Sequence, residues 1–134
     1  MPKKGGIRRE TLAMSSQLKN LLSRFRAIES VELAAVVASD GLLIESVAHP
    51  GVDVDAICAV ASNGLAMAEA LGREIDKGEN IQALLEYDHG LVLIEPISNE
   101  AMLLLLGGLR EELGNLRFLA ALYRNELADA VSAI

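Results

Sequence analysis

Apolar positions along the chain recur with helical spacing in three stretches and with strand spacing in five. Leu18, Leu21, Leu22, Phe25 and Ile28 repeat every three or four residues, which predicts an amphipathic helix of about four turns. Ser15 or Ser16 is placed to cap it. Lys19, Asn20, Ser23, Arg24 and Arg26 make its wet face. The next segment, Val31–Ala38, is apolar on both alternating faces, Leu33, Ala35 and Val37 on one and Ala34, Val36 and Ala38 on the other. A strand of that kind is covered on both sides and sits inside its sheet. Asp40-Gly41 predicts a hairpin turn, residues 42–49 return as a second strand, and His49-Pro50-Gly51 breaks it.

Residues 52–75 read as a long helix, with Asp53 or Asp55 at the start, where the helix dipole favours negative charge, and Gly72 and Gly78 around its end. Three strands are predicted next, at 80–87, 91–96 and 101–106, turning at Asp88-His89-Gly90 and Ser98-Asn99-Glu100. Gly107-Gly108 ends the last of them. Residues 109–130 form the closing helix, with Leu109, Leu113, Leu116, Leu119 or Ala120, Tyr123 and Leu127 on one side. The order α-β-β-α-β-β-β-α, joined by hairpins, predicts an α+β domain. A central five-stranded, mainly antiparallel sheet is expected, with helices on both faces. One domain is expected over residues 15–134, behind a flexible basic tail at 1–14.

The middle helix departs from ordinary amphipathicity. Val54, Ile57, Ala61, Leu65, Ala68 and Leu71 form one apolar stripe, and Ala56, Ala59, Val60, Met67 and Ala70 fill much of the opposite side. Between Ala56 and Leu71 only Ser62, Asn63 and Glu69 are clearly polar. A helix apolar nearly all round is buried nearly all round. The sheet covers one side. The other predicted helices spend their own apolar faces on the sheet, so the second cover is expected to be another molecule, an identical one being the commonest case.

Charge narrows the choice of partner. The chain of 134 residues carries a net −7, divided as +5 over residues 1–30 and −12 over the remainder. An acidic body repels phosphate backbones, and aromatics make up only 3% of the chain, so nucleic-acid binding is not expected. The basic stretch at the start is not followed by the apolar run of a secretory signal. The longest unbroken apolar run, 101–106, falls well short of a membrane span. The single cysteine, Cys58, rules out an intramolecular disulfide. A cytoplasmic protein is expected.

Catalytic chemistry has little to stand on. There is no G-x-x-x-x-G-K-[S/T] phosphate loop and no G-x-S-x-G elbow. His49 and His89 lie in predicted turns, and Cys58 has no C-x-x-C partner, so neither a metal nor a cofactor is expected. Cys58 sits between apolar neighbours and reads as a small core residue with an inert thiol. The carboxylate pairs Asp53/Asp55 and Glu111/Glu112 fall at helix starts, where the dipole accounts for them. An enzyme is not expected.

The pattern resembles the Roadblock family (the dynein light-chain Roadblock type). Two stretches carry the resemblance: Val36-Val37-Ala38-Ser39-Asp40-Gly41-Leu42-Leu43-Ile44 and Ile57-Cys58-Ala59-Val60-Ala61-Ser62-Asn63-Gly64-Leu65. It covers about residues 15–131, and profilin-like and longin-like layouts share parts of it. The resemblance implies a homodimer in which the middle helices lie side by side and the strands after them pair edge to edge. The expected contact residues are Ala56, Ala59, Val60, Asn63, Met67 and Ala70 on the helix, and Ile81, Gln82, Ala83, Leu84 and Leu85 on the strand. Bacterial members of the MglB-like group imply a Ras-like small GTPase as partner, expected to meet Asn63, Met67, Glu69 and Glu74. Unlike that group, the sequence shows no extended segment after the last helix. This weighs against GTPase activation more than against binding. The alternative reading is a small-ligand sensor domain built on an antiparallel sheet.

Overall fold

The computed structural model describes residues 16–133. Helix α1 (16–26) leads into strand β1 (Val31–Ala38), β2 (Leu43–Ala48), helix α2 (Val54–Glu74), and strands β3 (Ala83–Tyr87), β4 (Gly90–Pro96) and β5 (Ala101–Gly107). A single 3₁₀ turn at Arg110–Glu112 then precedes helix α3 (Leu113–Ser132). The five strands form one antiparallel sheet in the order β2-β1-β5-β4-β3. The predicted tail at 1–14 and the Ser15 cap lie outside the described residues; Ser16 is already helical.

Side-chain alternation divides the core into two layers. Ala34, Val36, Leu93, Leu103 and Leu105 face α1 and α3 and pack against Leu18, Leu22, Phe25, Leu116, Ala120 and Leu127. Leu33, Ala35, Val37, Ile94, Met102 and Leu104 face α2 and pack against Cys58, Ala61 and Leu65. Helices therefore cover both faces, α2 alone on one and the α1/α3 pair on the other. The ring of Phe25 meets Tyr123 edge-on at 6.1 Å between centroids, and the Arg24 guanidinium lies 4.8 Å from the same Tyr123 ring. These contacts couple α1 to α3.

Local chemistry explains the boundaries. At the β1–β2 hairpin Gly41 adopts φ +93°, and the Leu42 N–H donates to Asp40 Oδ1 at 3.1 Å. Asp53 caps α2, accepting from the Ala56 N–H at 3.3 Å. Gly107 takes φ +99° where β5 passes the start of β1, and an added Cβ would lie 2.5 Å from the Ser30 carbonyl oxygen. Only glycine allows that approach. The strand predicted over 80–87 begins three residues later. There the Asn80 side-chain amide donates to the Gln82 carbonyl, which folds the chain locally and takes 80–82 off the ladder. The closing helix predicted from 109 opens instead with the 3₁₀ turn, and Leu109 is exposed.

Candidate interaction site

Helix α2 presents its surroundings with three different faces. At about 100° per residue, Cys58, Ala61 and Leu65 turn to the sheet and are buried. Val60, Met67 and Leu71 turn the opposite way and are 71%, 74% and 60% exposed. Ala56, Ala59, Asn63, Ala70 and Glu74 are exposed beside them. This corrects the assignment of Leu71 to the core stripe. Its spacing of four residues from Met67 and eleven from Val60 is the signal that places it outward. Ile75, the cap residue, extends the same apolar strip.

The sheet exposes apolar residues as well. Strand β3 is an edge strand, paired on one side only, with β4. Ala83 packs in the α2 layer, so alternation turns Leu85 and Tyr87 to the same face, and both are exposed. Ile81, just before the strand, is 73% exposed. Leu84 points to the other layer, against the α1/α3 core. Gln82 is held there as well. Its side-chain amide donates to Glu95 Oε1 at 3.2 Å, and its oxygen accepts from Arg117 Nε at 2.8 Å. Of the five strand-side residues expected at an interface, Gln82 and Leu84 therefore have side chains committed to this chain's own core layer. Sequence reading missed the outward contribution of Leu71 and Ile75, and it missed Glu95, a buried carboxylate inside an otherwise apolar strand.

The four residues expected to meet a partner do not share one surface. Asn63, Met67 and Glu74 lie with the outward strip. Glu69 is half-buried on a third helix face, lining a cavity at the end of the sheet. On length and composition α2 could cross a bilayer; its packing of Cys58, Ala61 and Leu65 against the sheet places it on the protein instead. Burial, with a smaller contribution from Asp55, pushes the Cys58 thiol up to about 11. At neutral pH it is a packed, protonated core group.

Comparison with known proteins decides the family. The Roadblock/LC7 domain model matches residues 17–107. The chain belongs to the Roadblock/LC7 domain family. This Roadblock domain is 30% identical over 100 residues to the uncharacterized protein MJ0310 of Methanocaldococcus jannaschii, covering 75% of this chain and 87% of the relative. Among solved structures it resembles an MglB described with a tetrameric arrangement, at TM-score 0.81 and 14% identity, over 91% of this chain and 93% of the other. It also resembles a Roadblock/LC7 domain from Streptomyces avermitilis, at TM-score 0.75 and 20% identity, over 88% and 97% of the two chains. Both solved structures share the five-stranded fold.

Proposed function

We propose that this Roadblock domain is a homodimeric interaction module that scaffolds or regulates a Ras-like small GTPase. The observation that carries the reading is the pairing of exposed apolar residues on α2, Val60, Met67, Leu71 and Ile75, with an open sheet edge that exposes Ile81, Leu85 and Tyr87. Apolar area of this extent next to an unpaired strand favours association. A second copy satisfies both features at once: its α2 covers the strip, and its β3 supplies the missing ladder partner. Such a contact is isologous, each protomer offering the same patch.

Pairing two α2 helices on one face of a shared sheet creates a broad two-fold platform, with Asn63 and Glu74 among its polar positions. The resemblance to the MglB-like group supplies the partner class, a Ras-like small GTPase. The module acts by binding, in the cytoplasm, and uses no cofactor of its own. The Leu, Val and Ala side chains that fill both sheet faces favour this reading over a sensor with a ligand in the sheet's concavity.

The test has two stages. Light scattering coupled to size exclusion reads the oligomeric state, and a monomer at micromolar concentration would overturn the dimer. Co-purification with the small GTPases encoded in the same genome, in GDP- and GTP-loaded states, then reads the partner. Glu74→Lys lies on the exposed side of α2 and is expected to weaken GTPase capture while leaving the dimer intact. Capture of no GTPase in either state would overturn the partner assignment.

A further inference from the structure

The third face of α2 lines a cavity that neither the core nor the apolar strip uses. Ser62, Ala66, Glu69 and Arg73 recur at spacings of four, three and four and form one stripe along the helix. At about 100° per residue this stripe lies about 150° around the helix from Val60, Met67 and Leu71. A second copy on the apolar strip would therefore leave it open. The cavity has a volume of about 390 Å³, within the general range of small-molecule sites, roughly 300–1,000 Å³. Its far walls are the β4–β5 turn and the segment 78–80.

Small residues create this space. After Leu65, the positions of α2 that turn toward the sheet are Ala68 and Gly72, so the helix has no large side chain with which to fill the gap. Gly72 also lets the chain fold back tightly. An added Cβ there would stand 2.5 Å from the Gly78 carbonyl oxygen, and the Lys77 N–H donates to the Gly72 carbonyl at 2.9 Å. The return holds Glu79 and Asn80 against the opening.

The polar lining carries both signs of charge, and its charged groups form no ion pairs among the described residues. Glu69 and Arg73 stand four residues apart in the order that favours a helical ion pair, yet among the described residues no ion pair joins them. Glu79 likewise has no ion pair among the described residues. The Asn80 amide nitrogen is used by Gln82, while its side-chain oxygen is buried without a hydrogen-bond partner. The wall thus offers one guanidinium for an anionic group and two carboxylates for a cationic one.

We propose that this cavity binds a small zwitterion of the α-amino-acid type, its carboxylate on Arg73 and its ammonium between Glu69 and Glu79. Binding takes place within one protomer and is separate from the platform proposed for a GTPase. Fixed charges of both signs set the selectivity. A ligand carrying only one of the two groups leaves a wall charge of the other sign without its partner.

The experiment is calorimetric titration of the purified full chain with each proteinogenic α-amino acid in turn, followed by thermal melting in its presence. At least one is expected to bind saturably at millimolar concentration or below and to raise the melting temperature. The matching amine without the carboxylate, and the matching acid without the amine, are each expected to bind roughly tenfold more weakly or worse. Arg73→Gln and Glu69→Gln are each expected to weaken the amino acid similarly, with circular dichroism unchanged because neither side chain belongs to the core. Met67→Arg, aimed at the apolar strip, is expected to leave amino-acid affinity unchanged, which separates this site from the dimer and its partner. The proposal is overturned if no amino acid binds saturably. It is equally overturned if affinity is the same in both cavity variants, or if the bare amine binds as tightly as the amino acid.

Discussion

Replacing Met67 by arginine separates folding from association. In the protomer Met67 is 74% exposed, so Met67→Arg should change protomer stability by no more than about 0.5 kcal/mol, as is usual for surface substitutions. In the proposed dimer the side chain is covered. Full burial of a methionine stabilises by roughly 1.5–3 kcal/mol, so covering its exposed three-quarters contributes about 1–2 kcal/mol per protomer. The symmetry doubles this to about 2–4 kcal/mol. Two arginines placed against an apolar partner surface add the desolvation of unpaired charges, several kcal/mol more. A conservative total of about 4 kcal/mol weakens the dimer roughly a thousandfold. Sedimentation equilibrium over a concentration series measures this directly. The wild type is expected to show a melting temperature that rises with concentration, and the variant one that does not. Leu65→Arg, two residues away but turned to the sheet and 9% exposed, serves as the contrast and is expected to unfold the chain. A Met67→Arg protein that still dimerises with wild-type affinity would refute the reasoning, as would one that unfolds like Leu65→Arg.

Gln82→Ala is expected to destabilise the fold by roughly 1–3 kcal/mol in chemical denaturation, because it leaves the buried Glu95 carboxylate without the amide that donates to it. Gly107→Ala is expected to cost more than the about 1–3 kcal/mol of a strained backbone, since the new Cβ also collides with the Ser30 carbonyl; a melting temperature equal to wild type would count against the geometry. Cys58 should be inert to thiol reagents at pH 8 in the native protein and react at once in denaturant. The folded thiol titrates near 11 against 9.0 for the ordinary group, so between those values the unfolded chain releases a proton that the folded chain keeps. Stability should therefore fall as pH rises from about 9 to 11, and Cys58→Ala should lack that part of the decline. Calorimetry with magnesium and GTP or ATP on the protein alone should show no binding, as expected for a chain without a phosphate loop.

The order of elements, the sheet's antiparallel character and the layering of the helices are legible in the sequence because each follows from spacing alone. Alternation in Val31–Ala38 requires cover on both faces, and the five-residue core of that strand, Leu33 to Val37, is fully buried. Asp40-Gly41 and Asp53 mark a turn and a cap through short-range chemistry that any context would preserve. An apolar surplus on α2 is legible too, since composition around a helix shows without knowledge of its neighbours.

Tertiary structure alone decided how that surplus is divided. Leu71 belongs to the outward strip because α2 turns Cys58 and Leu65 to the sheet, a rotation of the helix that periodicity leaves open when apolar residues lie all round. Gln82 and Leu84 turn to the α3 side because β3 starts at Ala83 in register with Ile94, and register is a property of two strands, not of one. Glu95 is buried where Gln82, thirteen residues before it, donates to it, and Gln82 is held in turn by Arg117, contacts that no local pattern encodes. Glu69 leaves the platform because it lies on a third face of α2, lining a cavity whose other walls are the β4–β5 turn and the segment 78–80, and a gap between elements exists only once all are in place.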